Sequence, residues 1–432
     1  LGPRRIPVKE YVEAGCRQLG IAIYTQLVTA KLPPRLADHP TVRAVRARPT
    51  TRPGPLDAAW LRQVCLDAGV DDVGFAAVDD PALDDERAHA QAALPGAVSY
   101  LSLVVKMNRD NVRSTARSVA NQEFHRSGEI MNEAAHRITR VLQDAGHRVV
   151  NPSATFPMEM DRFPGRIWVI AHKPVAVAAG MGVMGIHRNV IHPRFGNFVL
   201  LGTILVAASI TEYSRPLDYS PCLECKLCVA ACPVGAIKKD GDFDFMACSV
   251  HNYREFMGGF TDWAETVAAS KSAPDYRGRV TDSESASMWQ SLSFGANYKA
   301  AYCLSVCPAG EMVKSPFDED RAQFLKDIVK PLQEKEETLY VVAGSDAEAH
   351  AAKRFPHKQQ KRVNGIRPNS VDSFLRGMPL TFQRKQDRGW SARYHFLFSG
   401  ENGREATVLI DDGTLQILQG LHGEPDLVVR AD

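Results

Sequence analysis

The stretch that decides the fold is a cysteine run that ends in proline, Cys222-Leu-Glu-Cys225-Lys-Leu-Cys228-Val-Ala-Ala-Cys232-Pro233. A shorter run follows later in the chain, Cys303-Leu-Ser-Val-Cys307-Pro308. Closely and regularly spaced thiols of this kind are typical of metal ligands and not of a disulfide framework. The two runs therefore predict a metal centre built from distant parts of the chain.

Both runs resemble those of bacterial two-cluster ferredoxins, in which three cysteines hold one [4Fe–4S] cluster and the fourth ligates the other. The resemblance implies one cluster on Cys222, Cys225, Cys228 and Cys307. It implies a second cluster on Cys232, Cys248 and Cys303. A structural zinc site is the alternative for CxxC spacing. The proline after the fourth cysteine and the returning CxxxCP favour iron and sulfide.

The second cluster lacks one cysteine, because the position three residues before Cys303 is Ala300. Its fourth ligand is then a side chain other than cysteine or a solvent molecule, or the cluster has only three irons. The segment 251–299 is an insertion between the two halves of the cluster region. Candidate ligands in and next to it are Ser249, His251, Asn297 and Tyr298.

Composition limits the remaining possibilities. A chain of 432 residues with 44% hydrophobic residues can form two to three domains. The net charge of +2, from 52 basic and 50 acidic residues, favours neither nucleic acid nor a membrane surface as partner. Seven of the nine cysteines lie in the cluster region, which predicts a reducing, cytoplasmic location. We find no apolar run of membrane-spanning length.

Helices alternate with strands before the cysteines, which predicts an α/β or α+β fold. Apolar runs predict strands at Val73–Val78, Leu101–Val105, Val149–Val150 and Ile167–Ile170. The spacing of apolar residues in Ser127–Ala145 predicts an amphipathic helix. Its predicted buried face is Ile130, Met131, Ala134, Ile138, Val141 and Leu142.

A glycine-rich segment precedes the cysteines and runs into an apolar stretch, Ala178-Ala-Gly180-Met-Gly182-Val-Met-Gly185-Ile186-His187-Arg188-Asn189 and then Phe195-Gly196-Asn-Phe198-Val-Leu-Leu-Gly202. Three glycines within six residues allow the backbone to approach a flat or anionic ligand closely. The alternative is a tight turn that packs a helix against a sheet.

Together with the cysteine run, this segment resembles the cobalamin-dependent iron–sulfur reductases, namely reductive dehalogenases and epoxyqueuosine reductases. The resemblance covers about residues 57–315. It implies a nitroreductase-like α/β domain that binds a corrinoid, whose cobalt a nearby cluster reduces. The residues implied to line the corrin are Gly180, Gly182, Gly185, Ile186, His187, Arg188, Asn189 and Phe195.

The catalytic residues of these families do not transfer directly. Arg166 occupies the place of the catalytic aspartate of epoxyqueuosine reductases, and Phe198 that of the tyrosine of respiratory dehalogenases. We therefore predict Arg166 or Lys173 as the proton donor. A solvated charged loop is the alternative interpretation of this segment.

The predicted domains are a helix near Val8–Leu32 with an arm (1–56), the corrinoid-type domain (57–215), a bacterial two-[4Fe–4S] ferredoxin-like domain (216–315), a helix with a basic linker (316–368) and a C-terminal domain (369–432). The last has alternating apolar residues around the turn Asp411-Asp412-Gly413. It resembles a truncated α+β domain of the sterol carrier protein 2 type, an antiparallel sheet with covering helices around an apolar tunnel.

These features predict an iron–sulfur oxidoreductase, a corrinoid-dependent reductase that acts on a hydrophobic organic substrate. The alternative is an electron-transfer or lipid-binding protein without corrinoid. Expected partners are an electron donor, such as a ferredoxin, a flavodoxin or a reductase, a small hydrophobic substrate, and a second copy of the chain. Nucleic acid is not among the expected partners.

Overall fold

The computed structural model describes residues 38–47, 54–162, 166–299, 302–368, 370–383, 389–400 and 403–432. The chain divides into two compact units, Leu1–Arg52 and Pro53–Asp432. In the first unit, helix α1 spans Pro40–Arg46. The predicted helix near Val8–Leu32 and the residue Ala300 lie outside the described residues. All further elements belong to the second unit.

A four-stranded antiparallel sheet forms the centre of the first half, in the order β1-β2-β6-β3. Its strands are β1 (Asp72–Ala77), β2 (Ser99–Lys106), β3 (Val149–Val150) and β6 (Val199–Val206). The strands predicted at Val73–Val78, Leu101–Val105 and Val149–Val150 are confirmed. The mixed α/β class predicted for this half is also confirmed.

Helices cover both faces of this sheet. One face packs against α2 (Ala58–Asp67) and α5 (Arg117–Asp144), and the other packs near α3 (Asp84–Ala93) and α6 (His172–Ala178). Successive side chains of a strand point to opposite faces. Leu101 and Leu103 accordingly pack on the α5 side, whereas Tyr100 and Val104 pack on the α6 side.

Helix α5 begins ten residues before its predicted start at Ser127. Met131, Ala134, Ile138 and Leu142 are buried as predicted, but Ile130 and Val141 are 38% and 41% exposed. The buried stripe is therefore narrower than predicted. The strand predicted at Ile167–Ile170 is wrong, because these residues form an irregular segment with Ile170 buried in the core.

The cysteines lie on short elements after the sheet. The hairpin β4 (Val183–Met184) and β5 (Val190–Ile191) contains the glycine segment, and the short helix α4 (Arg109–Arg113) contacts the cysteine region. The cysteine region itself contains α7 (Leu227–Ala231), α8 (Phe245–Asn252), α9 (Gly258–Ala269), α10 (Ala273–Arg279), α11 (Asp282–Phe294), α12 (Tyr302–Ser305) and α13 (Glu311–Glu319).

The predicted basic linker is wrong as a description of residues 345–368. Helical segments Arg321–Phe324, Leu325–Val329 and Lys330–Glu334 lead into β7 (Thr338–Val341), α14 (Asp346–Arg354) and β8 (Gln359–Arg362). Strands β7 and β8 pair in parallel. Ala347, Ala351 and Phe355 join the same hydrophobic core as Cys228 and Cys232. Apolar residues spaced along α14 explain this packing, which the surrounding lysines and arginines obscure in the sequence.

The C-terminal part is a four-stranded sheet in the order β11-β10-β9-β12, with helix α15 (Val371–Thr381) against it. Its strands are β9 (Ala392–Phe398), β10 (Arg404–Asp411), β11 (Thr414–Gln419) and β12 (Leu427–Ala431). The predicted hairpin at 411–413 is confirmed. The sheet is mixed and not purely antiparallel, because β12 pairs with β9 in parallel.

None of the described helices combines the length and the apolarity that crossing a membrane requires.

Candidate iron–sulfur centre

The loop that carries the first three cysteines has an unusual backbone. Glu224 and Lys226 adopt left-handed conformations, with φ of 47° and 62°. Such conformations cost about 1–2 kcal/mol for a residue with a side chain, so the surroundings must enforce them. They curl the loop tightly between the cysteines. Helix α7 starts directly after Lys226 and carries Cys228.

Four cysteines line one small cavity: Cys222, Cys225, Cys228 and Cys307. Burial is the main cause that raises the pKa of Cys225, Cys228 and Cys307, and the neighbouring thiols also raise it. Together these causes raise the pKa of Cys307 to about 12. Buried thiolates packed together repel one another unless a cation lies between them. The donor set therefore fits an iron–sulfur cluster, whose iron would supply that charge.

The other three cysteines form a second set, which consists of Cys232 after α7, Cys248 in α8 and Cys303 in α12. Burial raises the pKa of all three, that of Cys303 to about 11, and Cys232 acts electrostatically on both other thiols. Cys303 also acts on Cys228 and Cys307 of the first set. The two sets are therefore neighbours.

Backbone amides point at several of these sulfurs. The Ala236 N–H donates to the Cys232 Sγ at 3.2 Å, and the Ala309 N–H donates to Cys307. Hydrogen bonds to sulfur favour the thiolate and tune the potential of a cluster. Within the described ranges, no three His, Cys, Asp or Glu side chains converge closely enough to hold a single metal ion.

The glycines of the predicted corrin segment lie close to backbone and side-chain atoms of this same chain. A Cβ on Gly180 would lie 2.3 Å from the Arg215 carbonyl oxygen, and one on Gly182 would lie 2.5 Å from that of Ile191. A Cβ on Gly185 would meet the His187 ring at 2.8 Å. Packing within the protein thus accounts for all three glycines.

The polar residues of this segment also make internal contacts. His187 is buried, its Nδ1 accepts from the Asn189 backbone N–H, and its Nε2 contacts the Asn197 amide at 3.2 Å. Ile186 and His187 line the cavity of the first cysteine set. Phe195 stacks on His192, and Arg188 has a left-handed backbone. The corrin contacts implied for these residues stay a prediction.

The two predicted proton donors have other partners. Arg166 forms two hydrogen bonds of 2.9 and 2.6 Å with the buried carboxylate of Glu86 and a third with the Val169 carbonyl oxygen. These bonds give Arg166 a structural contact, and its predicted role as a proton donor stays a prediction. The Lys173 ammonium donates to the Arg188 carbonyl oxygen and to the Asn189 side chain.

The candidate ligands for the second cluster differ in their surroundings. Ser249 is buried, and its hydroxyl has no partner within the described part of the chain. His251 stacks on Tyr340, and burial together with three nearby lysines lowers its pKa to about 3. His251 therefore lies in a lysine-rich environment. Asn297 is buried in the insertion and Tyr298 is half-buried.

Sequence reasoning missed two residues beside the cysteines. Burial raises the pKa of Tyr253 well above its ordinary value, and Cys248 and Cys303 add to this rise. Arg113 donates to the Ser305 carbonyl oxygen and lies between the Phe198 and Phe324 rings, with one buried nitrogen unpartnered among described atoms. Its charge also interacts with Cys307. The helical offset of Tyr253 from Cys248 is the only sequence signal for either residue.

An aromatic cluster joins the insertion to the α/β domain. Tyr253, Phe256 and Tyr298 have ring centroids 5.3–5.6 Å apart. Phe124 of α5 contacts Tyr298, and Phe156 contacts Phe256. These aromatic rings cover the side of the second cysteine set on which Tyr253 lies. They would exclude water from an iron–sulfur cluster held by that set.

Gly196 couples the sheet to the segment after Cys307. Its φ is 68°, and an added Cβ would lie 2.3 Å from the Ala309 carbonyl oxygen.

We expect Gly196→Ala to destabilise the protein by about 2 kcal/mol more than Gly241→Ala and to lower its iron content. Gly241 is the matched control, because its φ is 90° but no atom lies within 4 Å of its added Cβ. Urea unfolding and iron analysis of both variants measure the difference, and equal losses would refute the coupling.

Comparisons with known proteins agree with an iron–sulfur role for the first cysteine run. A sequence model described as a 4Fe-4S binding domain matches residues 216–238. Epoxyqueuosine reductase of Staphylococcus aureus is 32% identical over 80 residues, which are 18% of this chain and 20% of the relative. The enzyme of the same name from Cellulophaga algicola is 30% identical over 118 residues, 24% of this chain and 38% of the relative. The chain thus matches well under half of either relative.

Solved structures overlap only weakly with this chain. Epoxyqueuosine reductase from Streptococcus thermophilus has a TM-score of 0.32 and 16% identity, and covers 43% of this chain and 54% of its own. A B12-dependent reductive dehalogenase has a TM-score of 0.36 and 13% identity, and the match covers 54% of this chain and 35% of the dehalogenase chain. An epoxyqueuosine reductase bound to a tRNA-Tyr stem loop has a TM-score of 0.35 and 16% identity, and the match covers 69% of this chain and 81% of the reductase chain.

Proposed function

We propose that this protein is an iron–sulfur reductase, in which two neighbouring clusters pass electrons to a small organic substrate. The observation that carries the proposal is the convergence of seven cysteines in two adjacent sets, joined electrostatically through Cys303. The matched 4Fe-4S domain and the partial relatives named as reductases support the same chemistry. The alternative of a protein that only binds lipid leaves this arrangement unexplained.

A cleft beside the first cysteine set is the proposed substrate site. Its walls combine aromatic and aliphatic groups with two cations, one carboxylate and amides, from Lys106, Met107, Asn108, Arg109, Asp110, Asn111, Phe195, Phe198, Met312 and Val313. The cleft adjoins the first set because Gly196 abuts Ala309 and Val313, and Ala309 lines the four-cysteine cavity. A planar apolar molecule with an anionic group would suit this lining.

Aromatic side chains of the C-terminal sheet and its helix are evidence for an apolar substrate. Phe374 of α15 contacts Phe396 and Phe398 of β9 with centroid distances near 6 Å. All three rings are half-buried. We propose that this part of the chain carries the apolar substrate before it enters the cleft, in the manner of a sterol carrier protein 2 domain.

The corrinoid that the resemblance implies stays a prediction. Each substrate molecule takes two electrons, one at a time, from the clusters, and it takes protons from the cleft or from water. Corrin absorption bands in anaerobically purified protein would support the predicted corrinoid, and their absence would contradict it.

The test starts with anaerobic, full-length protein. Analysis should find about seven to eight iron and as many sulfide ions per chain. The protein is then reduced with titanium(III) citrate and given 3-bromo-4-hydroxybenzoic acid, which a dehalogenase neighbour binds, or an epoxyqueuosine tRNA stem loop. Release of bromide at a rate that falls when Phe195 or Arg109 is replaced would support the proposal, whereas loss of the epoxide from the stem loop without release of bromide would refute the assigned substrate class. Full iron content without substrate-dependent reoxidation of the clusters would refute the assigned substrate class.

A further inference from the structure

Asn189 connects a cation to the second cysteine set. Its amide Nδ2 donates to the Cys303 Sγ at 3.5 Å, and its Oδ1 accepts from the Lys173 Nζ at 3.0 Å. The same ammonium donates to the Arg188 carbonyl oxygen at 2.7 Å. Neither the corrin contact predicted for Asn189 nor the proton transfer predicted for Lys173 uses these bonds.

The local fold fixes the orientation of the Asn189 side-chain amide, which bridges Lys173 and Cys303. Arg188 has a φ of 62°, and the turn is closed by hydrogen bonds between Gly185 and both Arg188 and Asn189. The Asn189 backbone N–H is held by His187. An ammonium donates only, so the amide oxygen must face Lys173 and the amide nitrogen must face the sulfur.

Both parts of the bridge favour negative charge on Cys303. The Asn189 Nδ2 donates to the Cys303 Sγ, and the Lys173 ammonium is bound to the oxygen of the same amide, so an N–H donor and a positive charge both lie on this side of the sulfur. Reduction adds an electron to a cluster that already carries thiolate charge. Nearby positive charge and N–H donors stabilise the reduced form more than the oxidised form, which raises the reduction potential.

We propose that Asn189 and Lys173 are positioning residues that raise the reduction potential of the cluster held by Cys232, Cys248 and Cys303. The inference rests on the proposed function only in requiring that this cluster be present. It gives the glycine hairpin a role in electron transfer, because the hairpin holds Asn189 against the cluster.

Redox titration of the anaerobic full chain, followed by electron paramagnetic resonance, tests the proposal. Lys173→Met should move the potential of the second cluster to a more negative value and change the first cluster less. Lys173→Arg should keep the potential close to that of the parent. Asn189→Asp should cause the largest negative shift, because it places a carboxylate where the amide donated. Lys271→Met, at an exposed lysine, is the matched control and should change neither potential.

Equal shifts of both clusters, or an unchanged potential in Lys173→Met and Asn189→Asp, would overturn the proposal. If Asn189→Asp fails to assemble the second cluster, the pair of Lys173 variants decides. Lys173-dependent potentials in a protein that reduces neither test substrate would leave this inference intact and refute the proposed substrate class. Reduction of a test substrate by a protein whose cluster potentials are the same in the parent and in the Lys173 variants would refute this inference and leave the proposed substrate class intact.

Discussion

Cys307→Ala is expected to remove the [4Fe–4S] cluster of Cys222, Cys225 and Cys228, although Cys307 is far from them in sequence. The Cys307 thiol lines the same cavity as these three cysteines and interacts electrostatically with Cys222 and Cys225. Iron should fall from about seven or eight to about three or four per chain. Iron analysis and electron paramagnetic resonance of anaerobic protein measure this loss.

Cys65→Ala is the control for removal of a buried thiol. Cys65 is fully buried in the core between the sheet and α5, away from the other cysteines. Its variant should keep the full iron content. If Cys307→Ala instead retained the signal of the first cluster and lost that of the second, the assignment of ligands between the two sets would be wrong.

Glu255→Gln is expected to destabilise the protein by about 3–5 kcal/mol, the range for removing one partner of a buried ion pair. The Glu255 side chain is 1% exposed and pairs with Arg117 at 2.7 Å and with Lys299 at 2.5 Å. Without the carboxylate, two cations stay buried close together. Urea unfolding at neutral pH, with variants matched for iron content, measures the change in free energy.

The matched control is Glu133→Gln, which removes an exposed carboxylate paired with Arg137 on the surface of α5. This change should cost less than about 1 kcal/mol. A similarly small loss for Glu255→Gln would show that water or relaxation compensates the two cations. The insertion would then not depend on this ion pair.

The Glu255 network also gives a pH dependence. Burial raises the pKa of Glu255, but Lys299 and Arg117 outweigh burial and hold it below its ordinary value of 4.5. A carboxyl whose pKa is lower in the folded state stabilises the fold above its unfolded pKa. Its contribution should therefore be complete above about pH 5 and decrease as the pH falls through the folded pKa. In Glu255→Gln, this part of the acid sensitivity should be absent.

The sequence by itself determined the features that depend on local spacing. Apolar runs placed β1 and β2, and alternating apolar residues placed the C-terminal hairpin, because a strand exposes successive side chains to opposite faces. The spacing of the cysteines predicted the iron–sulfur region, because ligand intervals are a property of the chain. The strand predicted at Ile167–Ile170 failed, since a short apolar run is buried equally well without pairing to the sheet.

The tertiary structure alone decided which polar groups meet. Arg166 pairs with Glu86, and Lys173 reaches Cys303 through Asn189, although nothing in their spacing indicates these partners. Residues 345–368 enter the core because parallel pairing of β7 with β8 joins segments that are separated in sequence. Periodicity shows which face of an element is buried. The partner of a buried charge depends on how distant elements pack, and only the folded chain specifies that.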